Sequence, residues 1–510
     1  MADTDQRLKH AIGLIIKADY QLDVSALSFL KKIAQRNGFE GLINKIINAL
    51  EKATDKPLFL TKDLLEGVVT AIEVLETSEQ TTSEDVGYVF KPYAKEVVAK
   101  IEVLDDSAER VAYGGVIDGY LEYFRDRFTK IERILRERSD VKDAVQISEA
   151  LKAPLKSKVK AIGIITEKRE RKGTAIVRIE DYKASLTTIV TSRSNRRVFE
   201  KAMKLLVDQV VCVVTTKINN DLYIANDFIS PDIPERKSNT SDEQVYAALI
   251  SDVHVGSKKF LEGVFDRFIN WLKGKGNNYQ REFASRVKYL IIAGDVVDGI
   301  GVYPNQEEEL AITDIYEQYA AASKLIEEVP EYIEIIIIPG NHDAVRQALP
   351  QPAILKEYAR PLYDLENVTL LGDPSRVRLH GVRFLISHGT SLDDVIGAVP
   401  DVSYQNLKED ATTAMKYFLK TRHLAPTYGS RTPIAPGSMD NLVIKSPPDV
   451  LHMGHVHVNG YENYRGTLLI NSGTWQGQTE YQEKMGLVPT PGIVPIVDLK
   501  NFRVMPLDFL

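Results

Sequence analysis

The sequence predicts a multidomain α/β protein: a helical N-terminal region, then a small β-barrel, then a large layered α/β domain. Three observations predict it. Before residue 55, apolar residues recur at three- and four-residue spacing. Over residues 155–235, short β-rich runs are separated by turns. From residue 246 onward, apolar strand-like runs alternate with helical stretches, the pattern of strands buried on both faces. A chain of 510 residues has room for all three.

Composition narrows the class. Hydrophobic residues make up 44% and charged residues 26%, an ordinary globular balance. No apolar run reaches the roughly 18 residues of a membrane span, and MADTDQRLKHAIG lacks the basic-then-apolar order of a signal peptide. The lone cysteine, Cys212, excludes intrachain disulfides and thiolate zinc sites, and it fits a reducing cytoplasm. Eight of the nine histidines follow residue 250, so chemistry is expected in the C-terminal half.

Residues 1–77 read as a small helical domain, from QRLKHAIGLIIKA and VSALSFLKKIAQR. Residues 78–112 are polar and read as a flexible linker. Ile117, Tyr120, Leu121, Phe124, Phe128, Ile131 and Leu135 then fall on one stripe of an amphipathic helix. Five strands follow, with the helix RRVFEKAMKLLV before the fourth, which suits an OB-type barrel. Helix and barrel together give a nucleic-acid- or partner-binding domain over 113–235. Residues 155–205 carry fourteen Lys and Arg against five Asp and Glu, the footprint of a polyanion site, with Arg193, Arg196 and Arg197 inside it. PDIPERKSNTSDEQ (231–244) marks a boundary, and the last domain spans 245–510. The terminal VMPLDFL reads as a closing strand, with docking on a partner as the alternative.

In that last domain five apolar runs each end in a polar cluster. YAALI leads to Asp252 and His254, KYLIIA to Asp295 and Asp298, and EIIIIP to Asn341, His342 and Asp343. VRFLI leads to His388, and DVLHM to His455 and His457. Sites in α/β sheets form beyond the carboxyl ends of strands, so five such clusters can converge. Carboxylate, imidazole and amide oxygens suit two divalent ions, with one carboxylate reaching both. The Asp252-x-His254 and His455-x-His457 spacings are expected to point each pair to one side of an extended strand.

The order D-x-H, GD-x-x-D, GNHD, H, GH-x-H resembles the calcineurin-like metallophosphoesterase superfamily over about residues 246–500. DGIGVYPNQEEEL, GNHDAVRQALPQP and RHLAPTYG look more narrowly like the small subunits of archaeal family D DNA polymerases. That family is related to the B subunits of eukaryotic replicative polymerases, which have lost metal ligands, and it is similar to double-strand-break repair nucleases. The resemblance implies one metal on Asp252, His254 and His457, a second on Asn341, His388 and His455, and Asp295 bridging them. It implies manganese first, with zinc, iron or magnesium as alternatives. Adjacent to Asn341, His342 is placed to act on the leaving group, with Asp343 either orienting it or serving as a turn acid. Asp298 supports the ligands from behind, and Arg346 is a candidate phosphate contact.

The function this implies is a metal-dependent 3′→5′ exonuclease that proofreads DNA, as the small subunit of an archaeal replicative polymerase. Its expected partners are the large catalytic subunit of that polymerase, single-stranded 3′ ends and a sliding clamp, with no membrane. The alternatives are a non-catalytic structural subunit, and a free-standing phosphodiesterase or phosphatase. The net charge of −7 is awkward for a lone DNA-binding protein and favours a subunit.

Overall fold

Alternation along fully buried strands decides the layers. In the computed structural model the described residues are 90–106, 117–220, 222–435 and 437–510. Before residue 70 they are only 8, 11–15, 20–22, 24–34, 42–43, 46–47, 59–62 and 64–69. All five residues of the strand Tyr246–Ile250 are buried. Ala247 and Leu249 face an inner core shared with Ile291 and Ile336 of the same sheet and Phe384 and Ile470 of another. Tyr246, Ala248 and Ile250 face an outer core with Phe265, Phe268 and Tyr319.

Two six-stranded sheets therefore pack face to face. The first has the order Val368–Leu370, Glu334–Ile338, Val287–Ala293, Tyr246–Ile250, Ile493–Asp498, Val504–Asp508. Its first four strands are parallel and the last two are added antiparallel. VMPLDFL thus supplies the closing strand. The second sheet runs Asn459–Tyr464, Thr467–Ser472, Val450–Met453, Val382–Ile386, Ser375–Leu379, Ile101–Asp106. Helices Glu262–Leu272 and Ile315–Glu327 cover the first sheet, and Leu392–Ala398 and Leu407–Thr421 cover the second. The result is a mixed α/β sandwich with helices on both outer faces.

The strand Ile101–Asp106 corrects the reading of 78–112 as a flexible linker. It pairs antiparallel with Ser375–Leu379, and Arg376 Nη1 reaches Asp105 Oδ2 at 2.9 Å. Just before it, the Lys100 amide donates to the Tyr289 hydroxyl at 2.9 Å. Polar composition misleads here because an edge strand is recruited by backbone pairing on one side, whatever its exposed side chains are. Residues 78–89 and 107–112 lie outside the described residues.

The strands Lys158–Arg171, Thr174–Glu180, Ser185–Thr191, Val210–Lys217 and Tyr223–Ile229 close into a barrel. The helix Arg196–Met203 sits between the third and fourth. Ala161, Ile165, Val177, Ile179, Val211 and Val213 fill its interior.

The helix Ile117–Arg136 packs on its own chain by a face that keeps Phe128, Ile131 and Leu135 of the expected stripe, leaves Leu121 outside and adds Tyr123 and Arg127. Leu121 is 50% exposed, while Tyr123, Arg127, Phe128, Ile131 and Leu135 are buried. This face brings Arg127 into the protein, where it is 1% exposed. Its Nε donates to Asp440 Oδ2 at 2.8 Å and its Nη1 to the Pro426 carbonyl at 2.9 Å. A periodicity that treats arginine as an outside residue cannot find such a face. The 231–244 boundary is likewise pinned: Asp449 accepts from Arg236 Nη1 at 2.7 Å and Asn239 Nδ2 at 2.9 Å.

In the N-terminal region Val24–Ile33 forms a helix, and Ala11, Ile15, Leu30, Ile33 and Leu65 share a core. Much of 1–77 lies outside the described residues. Among the described residues no helix is long and apolar enough to cross a membrane.

Candidate metal centre

Five strands from both sheets deliver the clusters to one place. Tyr246–Ile250, Val287–Ala293 and Glu334–Ile338 bring Asp252, His254, Asp295 and Asn341 from the first sheet. Val382–Ile386 and Val450–Met453 bring His388, His455 and His457 from the second. The pairs do not lie on extended strand, which corrects that expectation. Asp252, His254, Asp295, His455 and His457 all have positive φ, between 51° and 69°. The chain leaves each strand before its ligands and turns sharply, so geometry past the strand end aims them. Five non-glycine residues in the left-handed region mark a strained site held by its surroundings.

Backbone bonds hold these turns. The Asp252 amide donates to the Gly294 carbonyl at 2.9 Å and the Val253 amide to the Asp295 carbonyl at 2.8 Å. Close approach requires glycine at two positions. A Cβ on Gly340 would overlap Asp295 Oδ1, and one on Gly454 would overlap Ser251 Oγ and Asp252 Oδ2.

The donor atoms form two groups around Asp295. In the first, His457 Nε2 lies 3.3 Å from Asp252 Oδ1, and His254 Nε2 lies 3.1 Å from His457 Nε2. In the second, Asn341 Oδ1 lies 3.1 Å from His388 Nε2 and 3.0 Å from His455 Nδ1. Asp295 Oδ2 is 3.8 Å from His254 Nε2 and 3.1 Å from His388 Nε2, so it stands between the groups. Its other oxygen, Oδ1, accepts the His342 amide at 2.8 Å. Asp252, His254 and His457 have donor atoms within 4.8 Å of one another, as do Asp252, Asp295 and His388. This buried set of carboxylate, imidazole and amide oxygens fits divalent ions of borderline hardness.

Electrostatics favour charge separation within the cluster. Burial works against the His388 imidazolium, but the Asp295 carboxylate outweighs it and lifts His388 to about 10. Burial also opposes the Asp295 charge, yet His388 and His342 hold its carboxyl well below the usual range. Burial lowers His457 and His342, each against a nearby carboxylate.

The relatives now bear on these residues. A family model for the B subunits of DNA polymerases alpha and epsilon matches residues 247–459, which contain every ligand candidate. The DNA polymerase II small subunit of Methanothermobacter thermautotrophicus is 42% identical over 399 residues, 78% of this chain and 81% of that protein. This chain belongs to the DNA polymerase II small subunit family. Its counterpart in Pyrococcus furiosus is 44% identical over 398 residues. That match covers 77% of this chain but 64% of the relative, so the chain spans under two thirds of it. A solved structure described as a novel archaeal phosphodiesterase aligns with 52% of this chain and all of its own length, at 18% identity and a TM-score of 0.26.

Within this family member the other sequence candidates sort clearly. Asp298 Oδ1 accepts from His254 Nδ1 at 2.9 Å, orienting that ring from behind. Asp343 does not orient His342. It accepts the Gly340 amide at 2.8 Å, the Val296 amide at 3.2 Å and the Tyr319 hydroxyl at 3.0 Å, and burial raises it to about 6. His342 is instead fixed by the Asp298 carbonyl, 2.7 Å from Nδ1, which leaves Nε2 for the cavity it lines. His254, Asp298 and His342 also bring donor atoms within 4.8 Å.

The arginines do not join this cavity. Arg346 Nε donates to the Pro350 carbonyl at 2.8 Å, a tie within its own loop. Arg193, Arg196 and Arg197 are exposed at the start of the barrel helix, where Arg196 pairs with Glu200 at 2.8 Å. Part of the barrel's basic excess is taken up by such pairs, as Lys201 with Asp227 at 2.6 Å and Lys204 with Asp401 at 2.8 Å. His423, in the RHLAPTYG segment, is buried against Asp440 at 2.7 Å, away from the site. His380 and His452 are structural too, bonded to Tyr289 at 2.6 Å and Ser472 at 3.0 Å.

Sequence reasoning missed three supports. Asp393 Oδ2 lies 3.3 Å from His455 Nε2, Gln482 Nε2 lies 2.8 Å from His457 Nδ1, and Asp373 Oδ2 accepts the His388 amide at 3.1 Å. Only Gln482 had a local signal, the T-x-x-Q capping box at Thr479.

Proposed function

We propose that this chain is a dinuclear phosphodiesterase that removes nucleotides from the 3′ end of DNA as the small subunit of a replicative polymerase. The observation that carries the reading is Asp295, whose Oδ2 faces imidazoles from both donor groups. A carboxylate so placed serves two ions at once. One ion is assigned to Asp252, His254 and His457, the second to Asn341, His388 and His455. When bound, the two ions supply charge neutralisation at the phosphoryl oxygens and an activated water. The chain's own residues do the rest. Asp298 and Asp393 fix the rings of His254 and His455, and Ala293 does so for His388 through its carbonyl, 2.8 Å from Nδ1. His342 Nε2 is assigned to meet the leaving 3′ oxygen and, from the imidazolium form, to hand it a proton or stabilise charge there.

We further propose that the closed barrel is an OB-type module that leads a single strand toward the site, with Arg193 and Arg197 contacting phosphate. Among the described residues neither is ion-paired, which leaves both charges available. The large subunit of the polymerase is the proposed partner. It would supply DNA affinity that a chain of net charge −7 lacks.

The test is incubation of the purified chain with 3′-labelled and 5′-labelled single strands plus manganese. Shortening from the 3′ end supports the reading. Metal-loaded, folded protein that releases nothing from either strand, alone or with the large subunit, leaves a structural subunit in its place.

A further inference from the structure

The phosphate chemistry accounts for the polar floor of the central cavity and leaves its walls unexplained. The cavity measures about 530 Å³ and holds His254, Asp295, Asn341, His342, His455 and His457 at its base. Three tyrosines, Tyr303, Tyr404 and Tyr481, also line it. Hydrolysis of a phosphodiester asks for charges and oriented dipoles, and aromatic faces add nothing to it.

Two of the tyrosines are fixed walls. The Tyr303 hydroxyl donates to Glu309 Oε2 at 3.2 Å. The Tyr404 hydroxyl donates to Asp393 Oδ1 at 2.7 Å and accepts from Arg431 Nη1 at 3.0 Å. Tyr481 differs. It is 66% exposed, and among the described residues its hydroxyl has no hydrogen bond and its ring has no aromatic partner. A lone exposed aromatic is unremarkable on a surface. This one stands in the cavity of the metal cluster, on a helix anchored to that cluster. The helix Glu480–Met485 starts at a capping box between Thr479 and Gln482 and stops at Gly486 in the left-handed region. Gln482, the next residue, places its Nε2 2.8 Å from His457 Nδ1. The backbone of Tyr481 is therefore fixed relative to a ligand while its ring faces open cavity.

We propose that Tyr481 is the stacking platform for the nucleobase of the nucleotide being removed. This rests on the phosphodiesterase reading of the same site and names what must sit beside the scissile phosphate. A flat apolar group next to a phosphate is a nucleobase, and stacking on an aromatic face accepts all four bases alike. A base reaches Tyr481 only by leaving its own stack, so the platform selects frayed or unpaired ends over annealed ones.

The test uses the full chain and its Tyr481→Ala and Tyr481→Phe variants, which alter an exposed ring and leave the core intact. A single strand ending in 2-aminopurine at its 3′ end reports stacking by fluorescence quenching, read in EDTA and again in calcium, where no product forms. Wild type and Tyr481→Phe are expected to quench it at saturation, and Tyr481→Ala is not. Hydrolysis in manganese is read on the same strand and on one ending in an abasic nucleotide. Losing one base–aromatic stack is expected to raise KM about 5- to 150-fold for Tyr481→Ala on the base-bearing strand. The difference between the proteins should largely vanish on the abasic strand. Equal quenching and equal KM in wild type and Tyr481→Ala overturn the proposal while leaving the phosphodiesterase standing. Wild type that cuts neither strand overturns the phosphodiesterase itself, and the fluorescence then shows separately whether Tyr481 stacks a base.

Discussion

His254 Nε2 and His457 Nε2 stand 3.1 Å apart, and the other nitrogen of each ring is engaged, by Asp298 at 2.9 Å and Gln482 at 2.8 Å. Two imidazoles held from behind and aimed at one another present paired donors to a common point. With Asp252 and Asp295 beside them, that point is where a cation is wanted.

The central carboxylate gives the first prediction. Asp295→Ala removes the group that faces both donor sets. Metal content measured on the purified variant should fall from two ions per chain to one or none, and nuclease activity should be lost. A folded variant with two ions and full activity rules out the dinuclear arrangement.

His342→Ala gives the second. His342 lies outside both assigned donor groups, so two ions should remain bound. Loss of a proton-transfer group costs about 10²–10⁴-fold in rate, less with an activated leaving group such as p-nitrophenolate. A fall in metal content would mean that His342 is itself a ligand.

Charge reversal at Arg193, Arg196 and Arg197 gives the third. Titration of a single strand should show weaker binding and a flatter dependence on salt, because phosphate contacts release counterions. Hydrolysis of a small diester should hardly change. Equal losses on both substrates would remove the barrel from the DNA path.

The buried pair His423 and Asp440 gives the fourth, a dependence of stability on pH. Burial and the Arg127 charge push His423 down to about 4, and Asp440 opposes them only in part. Its Nδ1 accepts the Ala425 amide at 2.9 Å, so a second ring proton has nowhere to go. The unfolded chain takes up that proton near the ordinary value of 6.5. Between these values the unfolded state binds more protons, so stability falls as pH drops from about 6.5 to about 4. The loss from this one group approaches about 3 kcal/mol. Urea melts across that range should show a shallower acid loss in His423→Gln than in wild type. Parallel curves would mean that His423 titrates normally.

The helix Ile117–Arg136 joins the sandwich through the same network, which gives the fifth. Arg127→Ala leaves Asp440 buried without its cation, a change that costs about 3–5 kcal/mol. Thermal unfolding should report the loss directly. An unchanged melting temperature would mean that the buried pair contributes no net stability.

The order of the layers and the ligand candidates are legible in the primary structure. Runs such as YAALI and KYLIIA are too uniformly apolar for a surface, and turn-forming Gly, Asn and Asp after them mark where chemistry collects. How those candidates are aimed is settled only by the folded chain. The spacing of Asp252-x-His254 predicts two side chains on one face of a strand, yet both residues have positive φ beyond the strand's end. Such conformations are unfavourable locally and persist because backbone amides donate to the carbonyls of Gly294 and Asp295, just past the end of a neighbouring strand. The same reason explains the residues that pattern does not find. Asp373 meets His388, Asp393 meets His455 and Ile101–Asp106 meets Ser375–Leu379 through contacts between distant segments. Local periodicity reports which face of an element is apolar. Which two elements meet, and which carboxylate ends up behind which imidazole, is set only when the sheets close over their shared core.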